Sequence, residues 1–316
     1  MNRKKQKFKK KKTGGSLHPR NKHQGRYDLS ALAVSNPDLK KYVIETKSGE
    51  SINFADPQAV KELNRALLFH FYDLQYWDIP EGFLCPPIPG RVDYLHHLAD
   101  VIRYYNKGEV PVGSKVKVLD VGVGANCIYP IVGSFEYQWS FIGSDINKDS
   151  YDSAQNIVDN NNRLRESIEL RLQGHTKDIF NGIIKAGEQI DITICNPPFH
   201  GSKQEALESS NKKNKNIQTE GTNFSGQSSE LWCFGGEKSF LTNMIQESKL
   251  FKDQVCWFSS LVSKQSNLYS LYKILEKVGA NKVKTIGMGT GNKRTRIVVW
   301  TFKSKDELNQ WAINRW

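Results

Sequence analysis

Three short stretches of the chain combine residue types and spacing that could support chemistry, and each directly follows an apolar, β-branched run. In the first, Asp120-Val-Gly122-Val-Gly124, the two glycines allow a tight turn and a close approach of the backbone to a ligand. The second is Asp145, 21 residues after Gly124, where a carboxylate can hold ribose hydroxyls. The third comprises Asn196, Pro197, Pro198 and Phe199, which follow the apolar run "IDITIC".

The glycine loop departs from the dinucleotide-binding pattern at its third glycine, because Cys127 takes that position. The third glycine serves cofactors that carry a pyrophosphate, whereas a nucleoside cofactor without phosphate, such as S-adenosylmethionine, does not require it. An NAD-type oxidoreductase is disfavoured by this departure and by the lack of a catalytic histidine–acid pair. The alternative for a pair of glycines alone is an ordinary loop.

The elements that must position these residues are strands alternating with helices. Six short apolar runs, from "VKVLDVGVG" to "TRIVVWTF", are separated by helical patterns, which predicts a Rossmann-like α/β domain with a mainly parallel sheet and helices on both faces. Ligands of such sheets bind at the carboxyl ends of the strands. A mostly helical segment precedes this domain, including a helix predicted to begin with Asp56 as N-cap and Pro57 as first residue. The expected division is a disordered basic tail over 1–16, a helical N-terminal subdomain over 17–110 and the α/β domain over 111–316.

The charge of the chain is concentrated at its start. The 316 residues carry a net charge of +12, and residues 1–12 contain eight lysines and arginines and no acid. Such a run is typical of a disordered arm for polyanions, the alternative being a solubility tail. Five scattered cysteines without a CxxC pair, and no apolar run long enough to span a bilayer, favour a cytoplasmic protein with free thiols.

Read together, the motifs resemble a known family. The loop, the acid at the second strand end and Asn-Pro-Pro-Phe resemble class I S-adenosylmethionine-dependent methyltransferases. With "LHPRN", "FLCPPIPGRVDYLHHLAD", "LDVGVGANCIYP", "ICNPPF", "LWCFGGE" and "FSSLVSK", nearly the whole chain is similar to the bacterial RlmF family of 23S ribosomal RNA adenine N6-methyltransferases. The resemblance implies that residues 17–110 are an RNA-binding subdomain and residues 111–316 the S-adenosylmethionine-dependent methyltransferase domain. The lysine-rich start before "LHPRN" is a departure that does not map to the family core.

The resemblance explains why a strand should end in Asn196 and two prolines. In adenine N6-methylation, the Asn196 side-chain oxygen and the Pro197 carbonyl would accept hydrogen bonds from the amine, and would stabilise the positive charge that grows on its nitrogen. Pro197 and Pro198 would fix these acceptors, and Phe199 would stack on the extruded base. The same tetrapeptide type serves DNA adenine and protein glutamine methylation, so the motif alone leaves the substrate open.

Other site residues are expected with an alternative each. The resemblance implies that Arg91 reaches the cofactor carboxylate and that Thr176 lies near its adenine; the alternatives are a surface arginine and a plain loop threonine. Asn126 is either a methionyl contact or a helix cap. Predicted cofactor-binding residues are therefore Arg91, Asp120, Gly122, Gly124, Asn126, Asp145, Thr176 and Asn196. Predicted RNA-binding residues are Arg20, Lys22, His23, Arg26, Arg294 and Arg296, the last two having a solvated hairpin as alternative.

These observations lead to one preferred interpretation. We expect a monomer that methylates N6 of a specific adenine in 23S ribosomal RNA, either naked or within a large-subunit assembly intermediate, and that has no metal and no membrane partner. One alternative keeps the chemistry and changes the target to another RNA, DNA or a protein glutamine. A second, of a different class, is a non-catalytic RNA-binding or ribosome-assembly factor.

Overall fold

The N-terminal part of the chain is built on two long helices. A computed structural model describes residues 17–198, 235–290 and 293–316, so the predicted tail lies outside the described residues. The first elements are α1 (Leu29–Ser35), strands β1 (Val43–Thr46) and β2 (Gly49–Ile52), α2 (Pro57–Tyr72) and α3 (Ile88–Arg103). The predicted start of α2 is confirmed, since Asp56 caps the helix by accepting from the Gln58 amide and Pro57 is its first residue.

Two features of this region differ from the sequence prediction. β1 and β2 form an antiparallel hairpin within the segment expected to be mostly helical. Its strands are short and largely exposed, so they carry almost none of the apolar alternation that reveals a strand. α3 begins at Ile88, inside the stretch "IPEGFLCPPIPGR", whose prolines and glycines predict a loop. A proline is tolerated in the first helical turn because the N–H that it lacks would have no partner within the helix.

The described residues from 117 onward form a seven-stranded sheet with its helices. Its elements are β3 (Lys117–Val121), α4 (Ile128–Glu136), β4 (Ser140–Asp145), α5 (Lys148–Asp159), α6 (Asn162–Arg165), β5 (Ile168–Leu172), β6 (Ile190–Cys195), α7 (Gly236–Ser248), β7 (Val255–Val262), α8 (Leu268–Val278), β8 (Lys282–Thr290), β9 (Lys293–Thr301) and α9 (Lys305–Arg315). The strand order is β5-β4-β3-β6-β7-β9-β8. The predicted Rossmann-like fold is confirmed.

Strand direction decides where a ligand can bind. β3, β4, β5, β6 and β7 pair in parallel, whereas β9 pairs antiparallel with both β7 and β8. The chain moves outward from β3 to β4 and β5, and then returns to place β6 on the other side of β3. The crevice at the carboxyl ends of β3 and β6 is therefore the place where such sheets bind ligands.

The sheet is covered on both faces, as its apolar strands require. Every residue of β6 and β7 is buried. Alternate residues face different layers: Val118 packs with the cluster that contains α2, α3 and α4, and Leu119 packs with the cluster that contains α7 and α8. The first cluster joins the N-terminal helices directly to the sheet. β8 was not predicted, because its lysines and glycines suit an exposed edge strand rather than a buried one.

Asp191 ties the C-terminal helix to the strand that leads to Asn196. Its buried carboxylate accepts hydrogen bonds from Trp311 Nε1 at 2.7 Å and from Trp316 Nε1 at 2.9 Å. Arg315 Nη2 and the Lys117 amide donate to its other oxygen at 2.8 and 2.7 Å. One carboxylate therefore joins α9, β6 and β3.

We expect Asp191→Ala to lower the free energy of unfolding by about 3–5 kcal/mol, because it leaves a partly buried arginine and three N–H donors without their acceptor. Urea denaturation at neutral pH measures this change. Asp306→Ala, which removes an exposed carboxylate in the first turn of α9, is the control and should cost less than about 1 kcal/mol. Equal losses for the two variants would contradict this account of Asp191.

Candidate active site

The loop after β3 has the conformation that its glycines were predicted to permit. Gly122 and Gly124 have φ angles of +76° and +65°, a region in which side chains are strained. The amides of Gly122 and Val123 both donate to the Ser144 carbonyl at 2.9 Å, which fixes the loop to the end of β4. A Cβ atom placed on Gly122 would meet no atom within 4 Å, so the backbone is open to a ligand there.

Asp145 is joined to this loop by hydrogen bonds. Its Oδ2 accepts from the Gly124 amide and its Oδ1 from the Asn147 amide, both at 2.9 Å. Burial raises the pKa of the Asp145 carboxyl, while the backbone N–H groups of Asn147, Gly124 and Ile146 act in the opposite direction. Asp145 thus supports the loop, and Ile146 beside it leaves an apolar side chain 44% exposed. Together they offer a carboxylate and an apolar surface to a nucleoside.

Asp120 and Arg91 are close enough for their charges to interact. Asp120 is fully buried, and neither of its carboxyl oxygens has a hydrogen-bond partner within residues 17–198, 235–290 and 293–316. Burial raises the pKa of Asp120 far above its usual value; Asp145 adds to the rise and Arg91 opposes it. Arg91, in the first turn of α3, donates through Nη1 to the Tyr129 hydroxyl at 2.9 Å and lies over that ring. A buried acid beside a cation suits a ligand with both an ammonium and a carboxylate group.

Asn196 follows β6 next to the glycine loop. Val121 and Cys195 are register partners in β3 and β6, so Gly122 and Asn196 begin side by side. The Asn196 Oδ1 atom is buried and has no hydrogen-bond partner in the described part of the chain. Pro197 is buried and Pro198 is partly buried, whereas Phe199 lies outside the described residues. An unpartnered acceptor held by two prolines at this edge can receive an N–H donor.

A hydrogen-bonded network that the sequence did not predict supports the end of β6. Ser259 Oγ donates to the Thr193 carbonyl at 2.5 Å, and the Ser259 amide donates to Thr193 Oγ1 at 3.1 Å. The Tyr94 hydroxyl lies 2.8 Å from Ser259 Oγ, within hydrogen-bonding distance. The signal in the sequence was the pair of serines inside the otherwise apolar run "VCWFSSLV". This network fixes the strand immediately before Asn196.

Asn126 and Thr176, two other predicted cofactor contacts, differ in their surroundings, since the first is buried and the second is exposed. Asn126 is 5% exposed; its Oδ1 accepts from the Ile128 amide at 3.1 Å and its Nδ2 donates to the Leu84 carbonyl at 3.3 Å. The side chain thus accepts from the first amide of α4, although the N-cap position itself is Cys127, and the cofactor contact of Asn126 stays a prediction. Thr176 is exposed in a turn after β5. The backbone N–H of Gln173, three residues before Thr176, donates to the Asp145 carbonyl at 2.7 Å, so this turn starts beside the site.

Glu237 is a further buried residue at this edge of the sheet that the sequence did not predict. It is 2% exposed and follows Gly235 and Gly236, both of which have positive φ angles. Its carboxylate accepts from the Ser263 amide at 2.7 Å and from Asn267 Nδ2 at 2.7 Å. It thereby fixes the start of α7 to the loop after β7, at the same edge of the sheet as Asn196.

The basic residues predicted to bind RNA are largely engaged within the fold. Arg20 donates to Asp100 Oδ1 and to the His96 carbonyl, both at 2.9 Å, and Lys22 pairs with Glu136 at 3.0 Å. His23 is 3% exposed and its Nε2 lies 2.8 Å from the Tyr72 hydroxyl.

Burial, and secondly the Lys22 charge, lower the pKa of His23 to about 4, so it is neutral at pH 7. The role predicted for His23 is therefore corrected: a buried, neutral ring offers no contact to RNA. Arg26 donates to the Ser48 carbonyl, and Arg296 Nη2 donates to Gln265 Oε1 at 2.8 Å. Arg294 lies in β9, and its side chain is outside the described part of the structure.

The histidines of α3 have no metal-site arrangement. Within the described ranges, no group of three or more His, Cys, Asp or Glu residues could hold a metal ion. Burial lowers the pKa of His96 to about 3, with Arg20 and His18 contributing in the same direction, and its Nδ1 lies 2.6 Å from the Tyr137 hydroxyl.

In the part of the chain that the structure describes, no helix is long and apolar enough to cross a membrane.

Comparison with known proteins gives consistent matches over most of the chain. A family model described as "RNA methyltransferase" matches residues 10–304. The chain is 49% identical over 310 residues to the ribosomal RNA large subunit methyltransferase F of Cytophaga hutchinsonii, covering 96% of each protein. It is 50% identical over 324 residues to the protein of the same name from Serratia proteamaculans, covering 99% of this chain and 95% of that protein.

Solved structures of human METTL16 have the same fold. Its catalytic domain in complex with the MAT2A 3′UTR hairpin 1 matches with a TM-score of 0.80 and 28% identity, over 92% of this chain and 97% of that one. Its N-terminal domain in complex with SAH matches with a TM-score of 0.73 and 26% identity, over 92% of this chain and 100% of that one.

Proposed function

The chain belongs to the RNA methyltransferase family whose model it matches, and from this premise we propose that it methylates N6 of an adenine in large-subunit ribosomal RNA. The methyl donor is S-adenosylmethionine. The relatives that share about half of its residues over nearly the full length are named for large-subunit ribosomal RNA, which supports 23S RNA, naked or in an assembly intermediate, as the substrate. We further propose that the enzyme acts as a monomer in the cytoplasm.

The residues present fit this cofactor. Its amino-acid end requires a cation for the carboxylate and an acceptor for the ammonium group. Arg91 and the unpartnered Asp120 supply these groups and are close enough for their charges to interact. Its ribose requires an acceptor, which Asp145 supplies, and its adenine suits the apolar Ile146 and the turn at Thr176. The open backbone at Gly122 leaves room for the chain that joins them. When bound, the cofactor supplies an electrophilic methyl group on a sulfonium.

The observation that carries the proposal is the unpartnered Oδ1 of Asn196 beside the glycine loop. The lone pair of an adenine amine is delocalised into the ring, so the amine is a weak nucleophile until its N–H bonds are held by acceptors. We propose that Asn196 Oδ1 accepts one of these hydrogens and the Pro197 carbonyl the other. As nitrogen becomes positive, both acceptors bind it more strongly than in the ground state, which lowers the barrier. Phe199 would provide the stacking surface for the base.

We propose that the two parts of the chain have different roles. Residues 111–316 would carry the cofactor and the catalytic asparagine. Residues 17–110 would contribute Arg91 and, through exposed basic groups, contacts to RNA. Arg20, Lys22 and Arg26 make hydrogen bonds or ion pairs within the fold, so any phosphate contact they make would be additional to those bonds.

A modification map of 23S RNA tests the substrate. RNA from a strain that lacks the gene should lose one N6-methyladenine, and a plasmid copy of the gene should restore it, whereas an Asn196→Ala copy should not. An unchanged map of 23S RNA would contradict the proposed substrate. Loss of N6-methyladenine from another RNA or from DNA, or loss of a methylated protein glutamine, would identify the alternative target.

Deleting residues 1–12 should weaken RNA binding without changing which adenine is methylated. The tail carries eight positive charges and one aromatic residue, so it can neutralise phosphates but has little with which to recognise a base. The slope of log affinity against log salt should fall by roughly 0.7–0.9 for each phosphate that the protein no longer neutralises. A tail with every lysine changed to arginine is the matched control and should retain the affinity. A shift of the methylated position in the deletion variant would contradict this purely electrostatic role.

A further inference from the structure

Asn21 is a buried residue that was not predicted to serve the site. It is 3% exposed, and its Nδ2 donates to the Pro89 carbonyl at 2.9 Å and to Asp93 Oδ1 at 3.2 Å. Its Oδ1 accepts from the His23 amide at 2.9 Å. Both ends of the side chain are therefore used, and both donor contacts are with the first turns of α3.

The two residues that Asn21 contacts lie on either side of Arg91 in the sequence. Positions two apart on an α-helix differ by about 200° around its axis, so Asp93 and Arg91 point to opposite sides. Asp93 faces the N-terminal segment, where its Oδ1 also accepts from the His18 amide at 2.5 Å. Arg91 faces Tyr129 and the charge of Asp120. The N-terminal segment thus contacts one side of the first turns of α3, and Arg91 projects from the opposite side.

The start of α3 depends on such outside contacts. Its N-cap is Pro87, which makes no side-chain capping bond, so the helix lacks the usual local device that fixes a first turn. The preceding residue, Pro86, has its carbonyl held by Asn64 Nδ2 at 2.7 Å. Asn64 therefore fixes the chain before the turn, and Asn21 fixes the turn itself.

We propose that Asn21 is a positioning residue that holds Arg91 in the orientation required to bind the cofactor carboxylate. This inference rests on the proposed function, in which Arg91 binds that carboxylate. Without Asn21 the first turn of α3 can shift, and cofactor binding must then order the arginine. The affinity falls because that ordering is no longer provided by the fold.

Calorimetry with S-adenosylmethionine and no RNA tests the proposal. Asn21→Ala should raise the dissociation constant about tenfold. The matched control is Asn36→Ala, since Asn36 is 4% exposed and also donates two hydrogen bonds, but to Glu62 of α2. Both variants should lose thermal stability to a similar extent, and only Asn21→Ala should lose affinity. Equal affinities for the two variants would overturn the proposal.

A double-mutant cycle shows whether Asn21 acts through Arg91. In an Arg91→Ala background, adding Asn21→Ala should change the dissociation constant by less than about twofold. A full tenfold loss in that background would mean that Asn21 acts by another route, and the proposal would fail. If the parent protein bound no S-adenosylmethionine at all, the proposed function itself would fail, which is a different result.

A charge exchange keeps the test decisive if Asn21→Ala does not fold. Asn21→Asp places a carboxylate against Asp93 and the Pro89 carbonyl, and should weaken cofactor binding. Adding Asp93→Asn restores an amide donor to the pair and keeps the acceptor for the His18 amide. The double variant should recover at least half of the lost affinity on a logarithmic scale. No recovery in a folded double variant would contradict the positioning role.

Discussion

Asn196→Ala is expected to reduce methyl transfer by at least two orders of magnitude, roughly the loss for one preorganised polar group that acts in the transition state. The Oδ1 atom has no partner within the described residues and lies beside the glycine loop, so it is free to accept the N–H of an amine. Single-turnover transfer from labelled S-adenosylmethionine to RNA measures the chemical step. Cofactor affinity should change by less than about threefold, because the side chain acts on the methyl acceptor; a larger loss would support the cofactor contact that the sequence also predicts for Asn196.

Asn196→Asp is the matched variant for this prediction. It keeps an oxygen acceptor of the same reach, and it should therefore retain more activity than Asn196→Ala, although a buried carboxylate carries a desolvation cost. Near-normal turnover of Asn196→Ala would contradict the catalytic role. Equal activities of the two variants would show that the acceptor oxygen is not what matters at this position.

Asp145→Ala is expected to weaken S-adenosylmethionine binding by two orders of magnitude or more. The variant removes two charge-assisted hydrogen bonds to ribose hydroxyls, each contributing about 1.5–3 kcal/mol. It also removes the acceptor for the Gly124 and Asn147 amides, which hold the loop in its binding conformation. Calorimetry with the cofactor alone measures the change.

Asp145→Asn and a pH series refine this second prediction. Asparagine keeps one acceptor and loses the charge, so its affinity should lie between those of the parent and the alanine variant. Burial raises the pKa of Asp145, so on acidification the carboxylate takes up its proton at a higher pH than a free carboxyl would. Cofactor affinity should therefore begin to fall at a higher pH on acidification than the ionisation of an ordinary aspartate would give, provided the fold is intact. An unchanged dissociation constant for Asp145→Ala would contradict the assigned site.

The residues at strand ends could be predicted from the sequence because the signals are local. Gly122, Gly124, Asp145 and Asn196 each follow an apolar run within a few positions, and parallel strands bring their carboxyl ends to one edge. The helix cap at Asp56 was predictable for the same reason. Local composition was enough wherever a residue's position depends on its own strand or helix.

The remaining features depend on contacts between distant parts of the chain. Asn21 forms hydrogen bonds with Pro89 and Asp93, which follow it by 68 and 72 positions in the sequence. Tyr94 and Ser259, which also lie within hydrogen-bonding distance, are 165 positions apart. No local pattern reveals such partners. His23 was assigned to RNA because basic residues surround it in sequence, yet the fold buries its ring against Tyr72. Sequence composition therefore indicated the residues at the strand ends and gave no sign of the contacts that hold the N-terminal segment against the fold.

The most direct test of the account is methyl transfer by the purified protein to unmodified 23S RNA with S-adenosylmethionine labelled in its methyl group. We predict that nucleoside digestion and mass spectrometry will find the label as N6-methyladenosine, at no more than one per RNA molecule, with the cofactor product formed in equal amount. Asn196→Ala should give neither product above background. Label on another base or on the ribose, or equal labelling by the parent and Asn196→Ala proteins, would contradict the account.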